Sequence, residues 1–488
     1  MLKVGIIGSG FAGLSAAAYL AKEGHEVTVF EKNGEAGGRA RTYKEGGYTF
    51  DMGPSWYWMP EVFEKFFSDF GKESKDYYDL TRLDPSYRVF FESEQVDVPS
   101  NPEKIVEMAE SLDPGSGKRL TAFLREAKNK YEVAMNGFVQ KPSLSALEFI
   151  NLTLIKKAVK LHLFRSFSRL VKKVTSEPRL KAILEFPILF LGSTARKTPS
   201  LYSIMNHADM NLGTWYPMGG MNKVVSAFHQ VCTDLGVRFM FNSTVESVIM
   251  GGEKAIGLKV NDALYPCDVI IGGADYAHTE SLLPVRFRAY SDAYWKSRKF
   301  APSCIIYYLG VSKKIEGLQH HNLFFDADME SHSSDIYVNH SWPKKPLFYV
   351  CCPSKTDTTV APENSENLFV LIPVSTKISD TEEQRNKYFN HILERMELQL
   401  RQDIRQHVEV KAEYARSNFI SDYNSYSGNA YGLANTLGQT AFLKPKMRST
   451  KVENLYFTGQ LTVPGPGLPP SIISGETVAK LVHKRVDK

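Results

Sequence analysis

Apolar and polar positions divide the first forty residues into three pieces. Val4, Ile6 and Ile7 mark a short buried strand, Leu14, Ala17, Ala18 and Leu20 recur at helical spacing, and residues 27–30 return to a strand. Helical periodicity then dominates residues 101–213. A mixture of strand-like runs and one long helical stretch, "TEEQRNKYFNHILERMELQLRQDI", fills residues 291–419. Between these inserts, "TWYPMGGMNKVVSAF" reads as a turn and an apolar helix. Two strands joined by Gly251–Gly252 follow, and then "DVIIGGADYAHTE", a buried strand with Asp275 as a helix cap. Residues 464–470 hold six Pro and Gly between a strand-like run at 455–458 and a helical run at 474–482, more punctuation than a surface turn requires.

The punctuation at the amino terminus carries chemistry. Gly8, Gly10 and Gly13 form G-x-G-x-x-G between strand and helix. The three permit the turn, the approach of a pyrophosphate to backbone, and close packing of helix on strand. The helix start adds free N–H groups and a positive dipole end. Glu31 closes the second strand, where a carboxylate can accept both ribose hydroxyls and repels a 2′-phosphate, which disfavours NADP. "GGRA" then brings Gly38 and Arg39, the arginine as a bidentate donor to the same diphosphate. Gly53, Pro54 and Ser55 stand about where an extended FAD carries its flavin. No second G-x-G-x-x-G follows a strand, so no separate nicotinamide site is expected.

These scattered elements predict a discontinuous cofactor domain made of residues 1–100, 214–290 and 420–488. A mainly helical substrate and membrane-associating region at 101–213 and a mixed α/β substrate domain at 291–419 are inserted into it. A length of 488 residues fits two or three domains. The net charge of +5 is mild and gives no reason to expect nucleic acid. Five cysteines show no C-x-x-C pair and no metal spacing, so reduced thiols and no metal are expected. The first strand is expected from residue 2, which leaves no room for a signal peptide, and no run of about 18 apolar residues occurs. A cytoplasmic protein, peripheral on the inner face of the cell membrane, is the expectation. Residues 149–174 support the membrane part. They carry Lys156, Lys157, Lys160, Arg165, Arg169, Lys172 and Lys173 without an acid, amid Leu, Ile, Val and Phe. Such a stretch fits a helix lying in the bilayer interface, or a core helix with its basic face in solvent.

"GSGFAGLSAAAYLAKEGHEVTVFEKN…GGRA", "GYTFDMGPSWYWMP", "WYPMGGM" and "NLYFTGQLTVPGPGLPPSIISGETVA" resemble, in order along essentially the whole chain, the bacterial and fungal type of phytoene desaturase in the flavin amine oxidase superfamily. The resemblance implies an α/β fold with a Rossmann-like FAD-binding domain of the amine-oxidase type, an inserted mixed-sheet substrate domain and a helical membrane-facing region. It implies non-covalent FAD, a C40 polyene taken from the membrane, hydride transfer to the flavin N5, and oxygen or a quinone as electron acceptor. The reaction it implies most often is 15-cis-phytoene to lycopene in successive steps. Carried over residue by residue, Gly8, Gly10, Gly13, Glu31, the adjoining Lys32, Gly38 and Arg39 hold the ADP part. Gly53, Pro54, Ser55, Gly459, Gly467, Leu468, Pro469, Pro470 and Ser471 border the flavin, with a helix from about residue 471 aiming free N–H groups at it. Val245 is either the residue that covers the adenine or an ordinary strand valine. Many relatives have an acid after the glycine matching Gly459; here Gln460 stands instead, which puts that ribityl contact in doubt.

Hydrocarbon desaturation needs a dry apolar site more than an acid/base pair, and no catalytic base stands out. Glu148 and Arg165 lack a telling spacing, and His207 and His278 read as packing or capping histidines. Two further readings stay open: another carotenoid oxidoreductase, such as a hydroxycarotenoid 3,4-desaturase or a diapophytoene desaturase, and a non-catalytic prenyl-protein-binding module of the same fold.

Overall fold

The computed structural model describes residues 1–145, 148, 165–189 and 191–486. The opening pattern folds as its periodicity requires: β1 (Lys3–Ile7), α1 (Phe11–Lys22) and β2 (Glu26–Phe30). β1 and β2 lie side by side in a five-stranded sheet, wholly parallel, in the order Leu455–Phe457, Val269–Gly272, β1, β2, Arg238–Met240. Strands from both ends of the chain and from its middle thus meet in one layer, as a discontinuous domain requires. Parallel strands buried on both faces are near-continuously apolar, and Val269–Gly272 is buried throughout.

One face of this sheet is covered by α1, the helix Met221–Asp234 and the terminal helix Leu468–Val486, around Leu14, Val29, Phe66, Phe228 and Val478. The other face carries a three-stranded antiparallel meander, Val245–Gly251, Lys254–Val260 and Ala263–Pro266, which buries Ile7 and Phe30. Asp275 caps the next helix, its side chain accepting from the amides of Ala277 and His278.

The second layer is a seven-stranded sheet ordered Val408–Tyr414, Ser303–Val311, Glu366–Val374, Phe348–Cys351, His321–Phe324, Tyr87–Phe90, Gln95–Val98. Its last two strands belong to the segment 1–100, so a boundary at residue 100 does not separate the two sheets. Tyr87–Phe90 runs parallel to His321–Phe324, a pairing between residues some two hundred positions apart that no local pattern announces. The long helix spans Glu382–Leu400, with Thr381 as its N-cap.

Most of the basic stretch, residues 149–164 with Lys156, Lys157 and Lys160, lies outside the described residues. Its described remainder contains a short helix, Phe167–Val171. Phe167, Val171 and Val174 are buried while Arg165, Arg169, Lys172 and Lys173 face solvent. Among the described residues, no helix is long and apolar enough to cross a membrane.

Candidate functional site

The glycine motif forms a bare turn at the mouth of α1. A Cβ on Gly13 would lie 2.1 Å from the Gly8 carbonyl oxygen, so only glycine lets the helix pass so near β1. A Cβ on Gly10 would meet nothing within 4 Å. Gly10 is therefore bare for what approaches from outside, as a phosphate does. It is the N-cap of α1 and gives no side-chain cap, so the first-turn amides face the same space.

Glu31 lies at the end of β2, buried. Its Oε2 accepts from the Ser9 amide at 2.9 Å and the Ser9 hydroxyl at 2.8 Å, and its Oε1 from the Asn33 amide at 2.9 Å and the Asn33 Nδ2 at 3.0 Å. The backbone bonds fix the carboxylate. Ser9 Oγ and Asn33 Nδ2 complete a set of four donors on this carboxylate. Strand backbone closes over this corner: the Ser243 amide donates to the Glu31 carbonyl at 2.8 Å, and Val245 begins the meander two residues later, buried beside Phe30. Lys32 points away, its ammonium donating to the Ser421 carbonyl at 2.6 Å.

The "GGRA" turn folds back onto the glycine motif. The Gly37 amide donates to the Ser9 carbonyl at 2.9 Å, and a Cβ on Gly38 would stand 3.2 Å from the Gly10 Cα. Arg39 is largely enclosed by protein, with only part of its surface exposed. One amino group reaches the Ser425 hydroxyl at 3.2 Å and the Asn429 carbonyl at 3.4 Å, while Nε is buried without an acceptor. Burial lowers the Arg39 pKa, opposed by the Asp275 carboxylate. A buried, half-satisfied guanidinium calls for an anion.

The "DMGPS" loop lies against this turn, since a Cβ on Gly53 would be 2.3 Å from the Arg39 carbonyl. Tyr308 donates to the Met52 carbonyl at 2.8 Å. Beyond Pro54, the Ser55 hydroxyl meets the Tyr349 hydroxyl at 2.9 Å, and Tyr349 in turn meets His321 Nδ1 at 2.6 Å. The Tyr349 ring also lines an apolar cavity with Phe186, Leu323, Phe325, Leu347 and Tyr431. Tyr349 thus links this loop to an apolar recess.

The terminal segment completes the cradle. The strand is Leu455–Phe457, one residue shorter than expected, and Thr458 bonds to the Gly272 carbonyl at 2.9 Å. Gly459, at φ +99°, brings backbone to within 3.6 Å (from its would-be Cβ) of Ala12 Cβ in the first turn of α1. Gly475 allows the terminal helix to cross α1, where a Cβ would stand 2.5 Å from Ser15 Cβ, and Ser15 Oγ donates to the Ile472 carbonyl at 2.7 Å.

This helix begins at Leu468, three residues before the expected start at 471. Pro469 and Pro470 therefore sit inside its first turn without N–H groups, and the Ser471 amide already donates to the Gly467 carbonyl at 3.0 Å. The expected set of free N–H groups reduces to one, on Leu468, together with the dipole end. Gln460 donates from Nε2 to Asn429 Oδ1 at 3.3 Å, which ties it to the residue whose carbonyl receives Arg39.

The structure thus brings together Gly8, Gly10, Gly13, Glu31, Gly38, Arg39, Gly53 and Gly459 along one path of bare backbone. It adds Ser9, Asn33, Ser425, Asn429 and Tyr349, which no local signal in the sequence singles out. The path fits an extended dinucleotide: open space over Gly10, an acceptor at Glu31 and an orphaned guanidinium nitrogen at Arg39. The weighed acid/base candidates are committed elsewhere. Glu148 accepts from the amides of residues 143–145, and Arg165 is exposed to solvent. His207 Nδ1 pairs with Asn211 at 2.7 Å, and His278 Nε2 with Asn424 at 3.1 Å.

Comparison with known proteins agrees with this geometry. The family model of flavin containing amine oxidoreductases matches residues 11–483. A carotenoid 3,4-desaturase of Haloarcula japonica is 41% identical over 481 residues, covering 98% of this chain and 97% of that protein. A 4,4′-diapophytoene desaturase (4,4′-diaponeurosporene-forming) of Staphylococcus aureus is 30% identical over 501 residues, covering 100% of both. Among solved structures, an oxidoreductase from Methanosarcina mazei superposes with a TM-score of 0.63 at 17% identity, covering 98% of this chain and 100% of that one, a likeness of fold.

Proposed function

Because this chain belongs to the flavin-containing amine oxidoreductases, with carotenoid desaturases matching it end to end, we propose that it is an FAD-dependent carotenoid desaturase acting at the 3,4 carbon–carbon bond of an already extended polyene. The observation that carries the reading is the junction at Tyr349. One ring there lines an apolar cavity and, through its hydroxyl, hydrogen-bonds to Ser55 on the loop that borders the cofactor path. The 41% identity to a 3,4-desaturase favours that bond. The second reading, successive desaturation of 15-cis-phytoene to lycopene, rests on the motif resemblance.

FAD supplies the hydride acceptor that a saturated carbon–carbon bond without an acidic proton requires. The protein's own part is binding, orientation and exclusion of water. Gly10 and the start of α1 would hold the diphosphate, with Arg39 satisfying its orphaned nitrogen on the same anion. Glu31 would take the ribose hydroxyls in place of Ser9 Oγ and Asn33 Nδ2, and the terminal helix would face the flavin ring. Phe186, Leu323, Phe325 and Leu347 would keep water from the polyene. As the electron acceptor we propose oxygen or a membrane quinone, in line with the single dinucleotide motif.

Co-expression with pathways that accumulate either phytoene or a 3,4-saturated extended polyene, followed by pigment chromatography, tests the assignment. A 3,4-desaturated product with phytoene untouched is expected. Loss of phytoene would establish the second reading, and no change in either pigment would overturn both. We also propose peripheral binding at a membrane, supported by the exposed Arg165, Arg169, Lys172 and Lys173. Flotation with anionic liposomes should weaken when Arg169 and Lys172 become Glu; unchanged flotation would remove these residues from the contact.

A further inference from the structure

A second site lies in the seven-stranded sheet. In the pairing of His321–Phe324 with Phe348–Cys351, His321 stands directly opposite Cys351, so their side chains share one face. His320, just before the strand, turns its ring to the same side, with centroids 4.6 Å apart and planes at 68°. Ligand atoms of the three residues lie within 4.8 Å of one another. All three are buried, at 4%, 0% and 2% exposure. Trp56 stacks on the His321 ring at 4.1 Å and 12° and fixes its plane.

Each imidazole is held by one nitrogen only. His320 Nδ1 meets the Thr356 hydroxyl at 2.7 Å and His321 Nδ1 the Tyr349 hydroxyl at 2.6 Å, while both Nε2 atoms are buried without a partner. Two unsatisfied ring nitrogens side by side are costly unless something receives them. A hydroxyl on Nδ1 with a bare Nε2 is the arrangement found behind metal-binding histidines, where the outer bond sets the tautomer. A small cavity adjoins, lined by His320, Cys351, Ser55 and Asp51.

We propose that His320, His321 and Cys351 form a binding site for one soft divalent cation of the zinc class. Two imidazoles and a thiolate suit that class, whereas magnesium and calcium prefer oxygen. Binding displaces one proton from the Cys351 thiol to solvent as the metal–sulfur bond forms. The thiolate leaves one net positive charge on the site, and water from the adjoining cavity completes the coordination. Bonds of about 2.0–2.3 Å need the three ligand atoms to close by roughly 1 Å, a side-chain adjustment. Through Tyr349 and Ser55 the cation would couple this strand pair to the loop at the cofactor path, independently of which carotenoid the protein takes.

The test is titration of the FAD-loaded protein, stripped with chelator, with Co²⁺ alone. One equivalent should produce visible d–d bands and a near-ultraviolet thiolate-to-cobalt band. Cys351→Ser should remove the near-ultraviolet band, and His320→Gln should weaken binding at least tenfold. Thr356→Val, which leaves all three ligands in place, should weaken it by about tenfold. Wild-type protein that shows no bands, or bands unchanged in both ligand variants, would overturn the site. So would a zinc-soaked crystal with only water at the two Nε2 atoms.

Discussion

Gly10 and Gly13 stand three residues apart in one motif, yet they are bare for opposite reasons. A Cβ on Gly13 collides with the Gly8 carbonyl at 2.1 Å, whereas one on Gly10 meets no protein atom within 4 Å. Gly13→Val should therefore destabilise the fold itself, by about 1–3 kcal/mol or more, as overpacking does. Gly10→Val should leave the thermal midpoint of the FAD-free protein nearly unchanged while abolishing retention of FAD. A Gly10 variant that keeps its yellow colour through gel filtration would place the diphosphate elsewhere. Residues of this kind were legible in advance because their geometry is local, a turn between adjacent elements. Ser9 and Asn33 were not, since their contacts with Glu31 depend on how the turn closes onto the end of β2.

At the scale of elements, the terminal helix tests how far its dipole matters. Its start at Leu468 leaves a single first-turn amide, so the prolines contribute mainly by fixing backbone angles. Pro469→Gly with Pro470→Ala should loosen that turn and weaken FAD retention, while the two N–H groups it restores to the helix start should raise the flavin's reduction potential by stabilising the negative charge of the reduced ring. Potentiometric titration of the double variant checks this, and an unaltered potential with unaltered retention would assign the prolines to chain rigidity alone. The Pro/Gly composition announced a special segment, but not its neighbour. The crossing of α1, built on Gly475 and Ser15, joins residues more than four hundred positions apart. The pairing of His321 with Cys351 is hidden for the same reason: spacing in a sequence says nothing about register between strands. Motif spacing thus gave no reason to expect a metal, whereas sheet register assembles a ligand set.

For the whole molecule, one path of backbone is drawn from residues 8–13, 37–39, 53–55 and 459–471, and a ligand lying along it would bridge the two ends of the chain. Bound FAD should act as a staple: at a hundredfold excess over its Kd it adds about 2.7 kcal/mol to the folded state. Calorimetry of the FAD-free and FAD-loaded protein should show the midpoint rising with free FAD. A midpoint indifferent to FAD would mean that the path is not its site. The two-layer architecture was legible as an α/β fold with inserts. The sharing of strands 87–98 with the second sheet was not, because parallel pairing at long range leaves no periodic trace.

The crossing of the first and last helices also has a temporal side. A ribosome makes β1, α1 and Glu31 at the outset, but the backbone that presses on Ala12 and Ser15 is encoded some four hundred and fifty codons later. Until Gly459 and Gly475 have emerged, the glycine turn is a half-built vessel with its far wall missing. A flavin seated against this wall would load late in the life of each chain, and a message cut short before those codons should yield a colourless protein however faithfully its nucleotide motif was copied.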